Sequence, residues 1–241
     1  MKKTFKIALA GLVLASSPLL APVPAALAAD ATGPYVTLQA GASFGRTFDF
    51  RADDMGQTVD RKAPTAPVVG AGVGWQVTPY LRTDLTLSYR FSRSWDGTDN
   101  VQNITYSGDV SSLRGFANLY LDVAGLTEGL GVFKPYVGAG LGFAHNKLDD
   151  LDVTDNTAPA GFGRFTLDGA RKSSFAWQVM AGTGIAVSEN VTVDIGYRYV
   201  DAGSVKSGTT LTSSLFGSIA VDPRSADLRT HEVTLGLRYR F

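Results

Sequence analysis

The end of the chain, from Thr230 to Phe241, alternates strictly between apolar and polar side chains. The apolar parity holds Val233, Leu235, Leu237, Tyr239 and Phe241, and the polar parity holds Glu232, Thr234, Gly236, Arg238 and Arg240. Successive side chains of a β-strand point to opposite faces, so this pattern predicts a strand with one apolar and one charged face. A two-faced strand that ends on an aromatic residue is typical of a membrane barrel that closes by pairing its last strand with its first.

The same alternation predicts eight strands along the chain. They lie at about 34 to 45, 66 to 77, 81 to 91, 111 to 123, 134 to 145, 173 to 187, 191 to 200 and 229 to 241. Each is close to the ~9 to 11 residues that a tilted strand needs to cross a bilayer. The third strand is the clearest, because Leu85, Leu87 and Tyr89 alternate with Asp84 and Arg90.

Alternation alone does not say which face is outside, because a soluble barrel with an apolar interior alternates equally well. Eight strands, however, enclose only a narrow interior, which is too small for apolar faces of this extent. The connections also alternate in length: 78 to 80, 124 to 133 and 188 to 190 are short, whereas 46 to 65, 92 to 110, 146 to 172 and 201 to 228 are long and polar. Short periplasmic turns and long external loops favour an all-β, eight-stranded antiparallel transmembrane β-barrel.

Aromatic residues collect toward the two ends of the predicted strands. Toward the short turns lie Tyr35, Trp75, Tyr80, Phe133, Tyr239 and Phe241, and toward the long loops lie Phe44, Tyr89, Phe91, Phe143, Phe175, Trp177, Tyr197 and Tyr199. Ordinary packing at strand ends is the alternative explanation. With the other evidence, the pattern favours two aromatic girdles at the two membrane interfaces.

The N-terminus predicts the cellular location of the protein. Three lysines, an apolar run from Ile7 to Leu14 and the small residues before Ala28 predict a signal peptide over 1–28, followed by an outer-membrane β-barrel domain over 29–241. A membrane anchor is the alternative, but the run is short and prolines interrupt it. Cleavage leaves 19 basic and 22 acidic residues, a formal charge of −3, which argues against a nucleic-acid partner. The chain has no cysteine, so disulfides and thiol chemistry are excluded.

Four segments carry a family resemblance: PYVTLQAG from residue 34, KPYVGAGLGFA at 134 to 144, SFAWQVMAGTGIAVSENVTVDIGYRYV at 174 to 200, and HEVTLGLRYRF at the end. They resemble the eight-stranded outer-membrane β-barrel family of proteobacteria, which includes the opacity-type proteins and the membrane domain of OmpA. The resemblance covers the whole mature chain. It implies the barrel and its location, but no particular activity, and it does not imply cell-wall tethering through a peptidoglycan-binding domain like that of OmpA.

The face predicted to point into the lumen is highly charged. It carries Arg82, Asp84, Arg90, Arg114, Asp194, Arg198, Glu232, Arg238 and Arg240, and inward glycines at 70, 72, 74, 138, 140, 142, 182 and 184 leave space for them and for Phe116 and Tyr120. These charges could line an ion pathway, but a salt-bridged plug is favoured because small barrels fill their interiors with side chains. A register that opposes Tyr199 to His231 would pair Arg198 with Glu232 and place Asp194 diagonal to Arg238.

No pattern in the sequence predicts a catalytic, cofactor-binding or metal-binding residue. His145 and His231 lie at the external ends of the fifth and eighth strands, with no serine and carboxylate converging on either. The glycine runs at 69 to 74 and 137 to 142 resemble a dinucleotide fingerprint, but no helix follows them. We therefore expect no cofactor.

Two features of the long loops have a structural explanation. Asp149, Asp150, Asp152 and Asp155 resemble a calcium loop but lack its spacing, which favours a solvated loop, although divalent cations could still bridge them to lipopolysaccharide phosphates. Leu211, Leu215, Phe216, Ile219 and Val221 form an apolar patch. We expect it to extend the strands above the membrane or to lie on the rim rather than to bind a ligand.

The sequence therefore predicts a non-enzymatic outer-membrane barrel. We expect a role in envelope integrity, adhesion or recognition through the long loops, with at most a narrow pore. Its expected partners are outer-membrane lipid and lipopolysaccharide, the barrel-assembly machinery during insertion, and an extracellular ligand of the loops. The alternatives are a rim enzyme that modifies lipid A or phospholipid, and a small porin.

Overall fold

The computed structural model describes residues 32–45, 65–92, 94–99, 103–123, 131–159, 162–213, 215, 217–223 and 225–241. The predicted signal peptide and nearly all of the first long loop lie outside these residues. The part of the chain that is described is built of β-strands, and no helix within it has the length and hydropathy of a membrane span.

Eight long strands form a closed antiparallel barrel, as predicted. They are β1 (Gly33–Gly45), β2 (Ala66–Thr78), β3 (Leu81–Arg90), β5 (Ile104–Asp122), β6 (Phe133–Leu148), β9 (Ala170–Ala186), β10 (Val191–Lys206) and β13 (Ser225–Arg240). Each pairs with the next of these strands along the chain. The end of the barrel with the short connections is called the turn end below, and the opposite end the loop end.

The barrel closes between its first and last strands. The pairing of β1 with β13 runs from Tyr35 opposite Arg240 to Gly45 opposite Thr230 without a break. The backbone N–H of Phe241 donates to the carbonyl of Pro34 at 3.2 Å, so the pairing reaches the last residue. Closure leaves the barrel without an open edge, which is the condition for placing β-strands in hydrocarbon.

The outside of the barrel is an apolar band. Leu38, Leu85 and Leu141 are each more than 60% exposed, and every barrel strand contributes similar residues. A soluble monomer rarely exposes a contiguous apolar patch of more than a few hundred Å². The band therefore faces lipid, and the predicted facing of the strands is confirmed.

Five further strands lie in the segments that the sequence assigned to loops. They are β4 (Ser94–Asp99), β7 (Leu151–Asp155), β8 (Arg164–Leu167), β11 (Thr210–Ser213) and β12 (Gly217–Ala220). Together with the first part of β5 they form a second sheet in the order β4, β5, β7, β8, β11, β12, here called the loop sheet. The second, third and fourth long connections therefore contain strands that the sequence did not predict.

The barrel strands also extend farther than predicted at the loop end, and there their polarity inverts. Within the apolar band most of their lumen-facing residues are polar or glycine. Beyond it, the same parity of β10 carries Val200 and Ala202, both fully buried, and that of β13 carries Ala226 and Leu228. The prediction ended strands where the apolar outer face ended. The strands continue because above the membrane their apolar residues turn inward, as in a soluble protein.

Twelve of the buried apolar residues form one core at the loop end, here called the cap. Its buried members are Val110, Phe116, Ala144, Leu148, Leu151, Leu167, Ala176, Val200, Ala202, Val205, Ala226 and Leu228, and Val153, Leu211 and Val221 lie against it. The cap joins five barrel strands to three strands of the loop sheet. Of the fourth-loop patch, Leu211 and Val221 lie against the cap, whereas Phe216 lies outside the described residues.

One aromatic assignment was wrong. Tyr35 was placed in the girdle at the turn end, but it is only 2% exposed and points into the lumen. Its parity explains this, because Val36 and Leu38 are the outward residues of β1. Other predicted girdle residues, such as Trp75, Phe143 and Phe175, are exposed on the outer face.

Candidate functional site

The lumen is bridged from wall to wall just below the cap. Glu232 on β13 is fully buried and accepts hydrogen bonds from Arg198 on β10, at 2.6 Å to Oε2, and from Arg114 on β5, at 2.8 Å to Oε1. β10 is the neighbour of β13, whereas β5 stands four strands away on the far side of the barrel. The Arg198–Glu232 pair was predicted and is confirmed, but the part played by Arg114 was not foreseen.

A second ion pair on the same strands also matches the predicted register. Asp194 lies opposite Gly236, and the Nη2 of Arg238 donates to Asp194 Oδ1 at 3.0 Å. The pairing follows from the register that opposes Tyr199 to His231. Burying a charge costs free energy unless the charge is paired and hydrogen-bonded. These two ion pairs therefore allow charged residues to face the lumen.

A hydrogen-bonded chain of side chains crosses the middle of the lumen. Tyr35 donates to Asp84 at 3.1 Å, Asn118 donates to the other oxygen of Asp84 at 2.7 Å, and Gln178 donates to Asn118 at 2.7 Å. These residues belong to β1, β3, β5 and β9, so the chain connects opposite walls. The sequence marked Asp84 as inward, but the partners Tyr35, Asn118 and Gln178 were missed because uncharged residues gave no comparable signal.

Nearer the turn end, Arg82 pairs with Asp122 at 3.0 Å and lies over the rings of Tyr120 and Tyr136, with its guanidinium carbon 4.1 and 4.6 Å from the ring centres. The inward glycines create the space for these rings. A side chain at Gly138 would place its Cβ 2.7 Å from Tyr120, and one at Gly182 would place it 2.6 Å from the Tyr136 hydroxyl. The glycine runs therefore serve packing in the lumen rather than phosphate binding.

A cavity of about 50 Å³ remains between these layers, with Arg82, Asp84, Tyr120, Tyr136 and Asp194 among its lining residues. This volume suits a few water molecules, since one water needs roughly 10–15 Å³ by this measure. Ion pairs lie on both sides of the cavity and the apolar cap lies above them. The described lumen is therefore a filled interior, which agrees with the favoured plug.

The acidic residues of the third loop are spread over the loop sheet. Asp149 pairs with Lys147, and Asp150 accepts the N–H of Gly169 at 2.9 Å. Asp155 accepts the hydroxyl and the N–H of Thr157, which lowers the pKa of its carboxyl. Within the described ranges, no three His, Asp or Glu side chains are grouped closely enough to hold a metal ion.

The two histidines face outward at the loop end and contact different partners. His145 lies opposite Ser173, with 3.0 Å between its Nδ1 and the serine hydroxyl. His231 is 2.5 Å from the Tyr197 hydroxyl through its Nδ1 and packs against Tyr199. The sequence did not reveal the serine beside His145, because the pair depends on the register of β6 and β9.

Comparisons with known proteins agree with this architecture. The family described as "Outer membrane protein beta-barrel domain" matches residues 8–241. The chain is 27% identical to the outer membrane protein PagN of Salmonella typhimurium, over 100% of both chains. It is 30% identical to an opacity protein of Neisseria gonorrhoeae, over 45% of each chain.

Among solved structures, neisserial surface protein A superposes with a TM-score of 0.53 at 19% identity, over 88% of this chain and 100% of that one. This likeness supports the barrel fold. The closed barrel, the lipid-facing band and the family match lead to one conclusion: the chain belongs to the outer-membrane β-barrel family and is an integral protein of the bacterial outer membrane.

Proposed function

We propose that this barrel is a non-enzymatic surface protein that presents the loop sheet as a rigid recognition surface for a macromolecule outside the cell. The observation that carries the proposal is the continuity between barrel and loop sheet. β5 belongs to both sheets, and the cap joins them in one core. A surface held in this way loses little conformational freedom on binding, which favours affinity.

The loop sheet also carries exposed apolar side chains outside the lipid-facing band. Leu215 and Ile219, at the hairpin of β11 and β12, are 54% and 56% exposed, and Phe162 is 51% exposed. Exposed apolar residues on a surface otherwise in water are typical of protein interaction sites. We propose that this hairpin contributes to the contact with the extracellular partner.

The remaining parts of the proposal concern the envelope. A signal peptide over 1–28 would direct export, the barrel-assembly machinery would insert the domain over 29–241, and lipopolysaccharide would surround the loop end. The barrel would support envelope integrity as a stable, filled cylinder. None of these roles needs a cofactor.

Adhesion of whole cells tests the recognition role. A laboratory Gram-negative strain without other adhesins should bind cultured epithelial cells better when it displays the barrel. The double variant Leu215→Ser/Ile219→Ser should lose most of that gain, whereas Ser218→Ala, on the same hairpin, should keep it. Equal adhesion with and without the barrel would overturn the proposal.

A rim enzyme is the second candidate, and the contact between His145 and Ser173 is the observation that favours testing it. A serine activated by a histidine could attack a lipid ester. Incubation of the refolded barrel with lipid A or phospholipid, followed by mass spectrometry, separates the two functions. Products that disappear in Ser173→Ala would establish the enzyme and contradict the non-enzymatic proposal.

A further inference from the structure

The outer face of β6 and β9 carries a vertical series of side-chain pairs, set by the register of the two strands. From the middle of the band toward the loop end, the pairs are Leu141 with Trp177, Phe143 with Phe175, His145 with Ser173, and Lys147 with Arg171. The first two pairs are apolar and exposed to lipid. The third pair is hydrogen-bonded. The fourth pair is cationic.

This order matches the profile of a lipid in the outer leaflet. Two residues along a strand rise ~6.6 Å, and with a strand tilt of ~40° each pair lies about 5 Å above the last. Lys147 and Arg171 are then about 10 Å above the aromatic pair Phe143 and Phe175, which marks the interface. Long basic side chains at this height reach headgroup phosphates.

The cationic pair is unfavourable without an anion between its members. Lys147 and Arg171 lie directly opposite each other, and like charges in that position destabilise a sheet. Asp149 pairs with Lys147, which leaves one positive charge in excess over these three side chains. Among the described residues, Arg171 has no ion-pair partner.

The equivalent position on β10 and β13 is different. There, Asp201 lies opposite Arg229 and accepts a hydrogen bond from its Nε at 3.1 Å, and Asp227 lies 3.3 Å from its Nη2. The arginine is therefore neutralised by the protein itself. The two faces have similar aromatic residues below, but only the face of β6 and β9 keeps an excess cation.

We propose that the outer face of β6 and β9 is a binding site for one lipid A molecule of lipopolysaccharide. A phosphate of the lipid lies between Lys147 and Arg171, its sugar and ester region lies at the level of His145 and Ser173, and its acyl chains cover Phe143 and Phe175 in the band below. The inference makes the lipopolysaccharide contact of the proposed function specific. It does not depend on recognition by the loop sheet.

Native mass spectrometry of the mature barrel tests the site. The barrel, released from phosphatidylcholine nanodiscs doped with bisphosphorylated lipid A, should retain one lipid A molecule. Lys147→Gln and Arg171→Gln should each lower retention about fivefold, and the double variant roughly twentyfold. Arg229→Gln, on the neutral face, is the matched control and should retain lipid A like the unaltered protein.

Two further lipids distinguish the ligand. Dephosphorylated lipid A should be retained no better by the unaltered protein than by the double variant, and phosphatidylglycerol should be retained poorly by both. Three outcomes would each overturn the proposal: the unaltered protein retains dephosphorylated lipid A as well as bisphosphorylated lipid A, it retains phosphatidylglycerol as well as bisphosphorylated lipid A, or Arg229→Gln loses as much lipid A as Arg171→Gln. Heat-modifiable migration on a gel confirms that each variant is folded. Unchanged cell adhesion by the double variant would separate this site from the recognition surface.

Discussion

Arg114 donates a 2.8 Å hydrogen bond to Glu232 across the lumen, from a strand four positions away around the barrel. Glu232 also binds Arg198 on the adjacent strand, so one carboxylate connects a neighbouring strand and an opposite wall. All three side chains are nearly inaccessible to solvent. The contact holds the barrel wall at a fixed distance just below the cap.

The first prediction concerns the stability that this contact provides. Removing one partner of a buried ion pair leaves an uncompensated charge and costs about 3–5 kcal/mol. Glu232→Ala should be the most destabilising single change, because it leaves two guanidinium groups unpaired. Urea unfolding of the refolded barrel in lipid vesicles measures the free energy of unfolding.

The double variant Arg198→Ala/Glu232→Ala should lose less than the sum of the single losses, since the two residues share one interaction. Arg229→Ala is the control, because its ion pairs are solvent-exposed and should contribute no more than about 1 kcal/mol. Strictly additive losses would contradict the pairing.

The second prediction concerns conduction. The ion pair between Arg114 and Glu232 and the hydrogen-bonded chain from Tyr35 to Gln178 cross the lumen, and the cap lies at its loop end, so planar-bilayer recordings should show no large, stable conductance. Glu232→Ala should remain closed, because the cap is apolar and lies above the site of the change. A large, stable conductance of the unaltered protein would instead support the small-porin alternative.

The third prediction concerns the cap. Leu228 is 1% exposed, and its replacement by alanine should cost about 2 kcal/mol or more. The loss of stability should be confined to the loop sheet. Trypsin should therefore cleave at Arg164 or Lys206 at least about tenfold faster while the barrel stays intact. Leu215→Ala, at an exposed position of the same sheet, should leave cleavage unchanged. If trypsin cleaved Leu228→Ala and Leu215→Ala at the same rate, the cap would not be what stabilises the loop sheet.

The fourth prediction concerns insertion. Phe241 is 69% exposed on the outer face, and its backbone N–H completes the pairing with β1. Deleting Phe241 or replacing it with aspartate should reduce the amount of barrel in the outer membrane without reducing export to the periplasm. Phe241→Tyr is the conservative control. Cell fractionation and heat-modifiable migration provide the measurement, and a normal level of the aspartate variant would contradict the prediction.

The sequence predicted the part of the fold that depends on one face being in lipid. In β3, the alternation of Leu85 and Leu87 with Asp84 indicated both the strand and its orientation, and the observed strand ends one residue before the predicted end. The same rule placed Arg198 opposite Glu232, because two neighbouring strands and one short-range register were enough. Local pattern therefore determines the barrel wall.

Contacts across the lumen could not be predicted in the same way. The alternation predicted that Arg114 faces the lumen, but it does not say with which of the inward carboxylates Arg114 forms an ion pair. The choice depends on the width of the closed barrel and on the heights of β5 and β13, which only the three-dimensional structure provides. The loop sheet was missed for a different reason, since its five added strands are only four to six residues long and show no clear alternation.

The inversion of polarity along the strands has a consequence for how they align. Alternation repeats every two residues, so sliding β10 by two residues past β13 would keep every side chain on its correct face. Such a slide would, however, move Arg198 away from Glu232 and carry it toward Thr230 and the apolar core, or draw Val200 down among the charges. The boundary between the polar lumen and the apolar cap therefore fixes how far each strand is shifted along its neighbour. The two-residue alternation cannot specify this shift by itself.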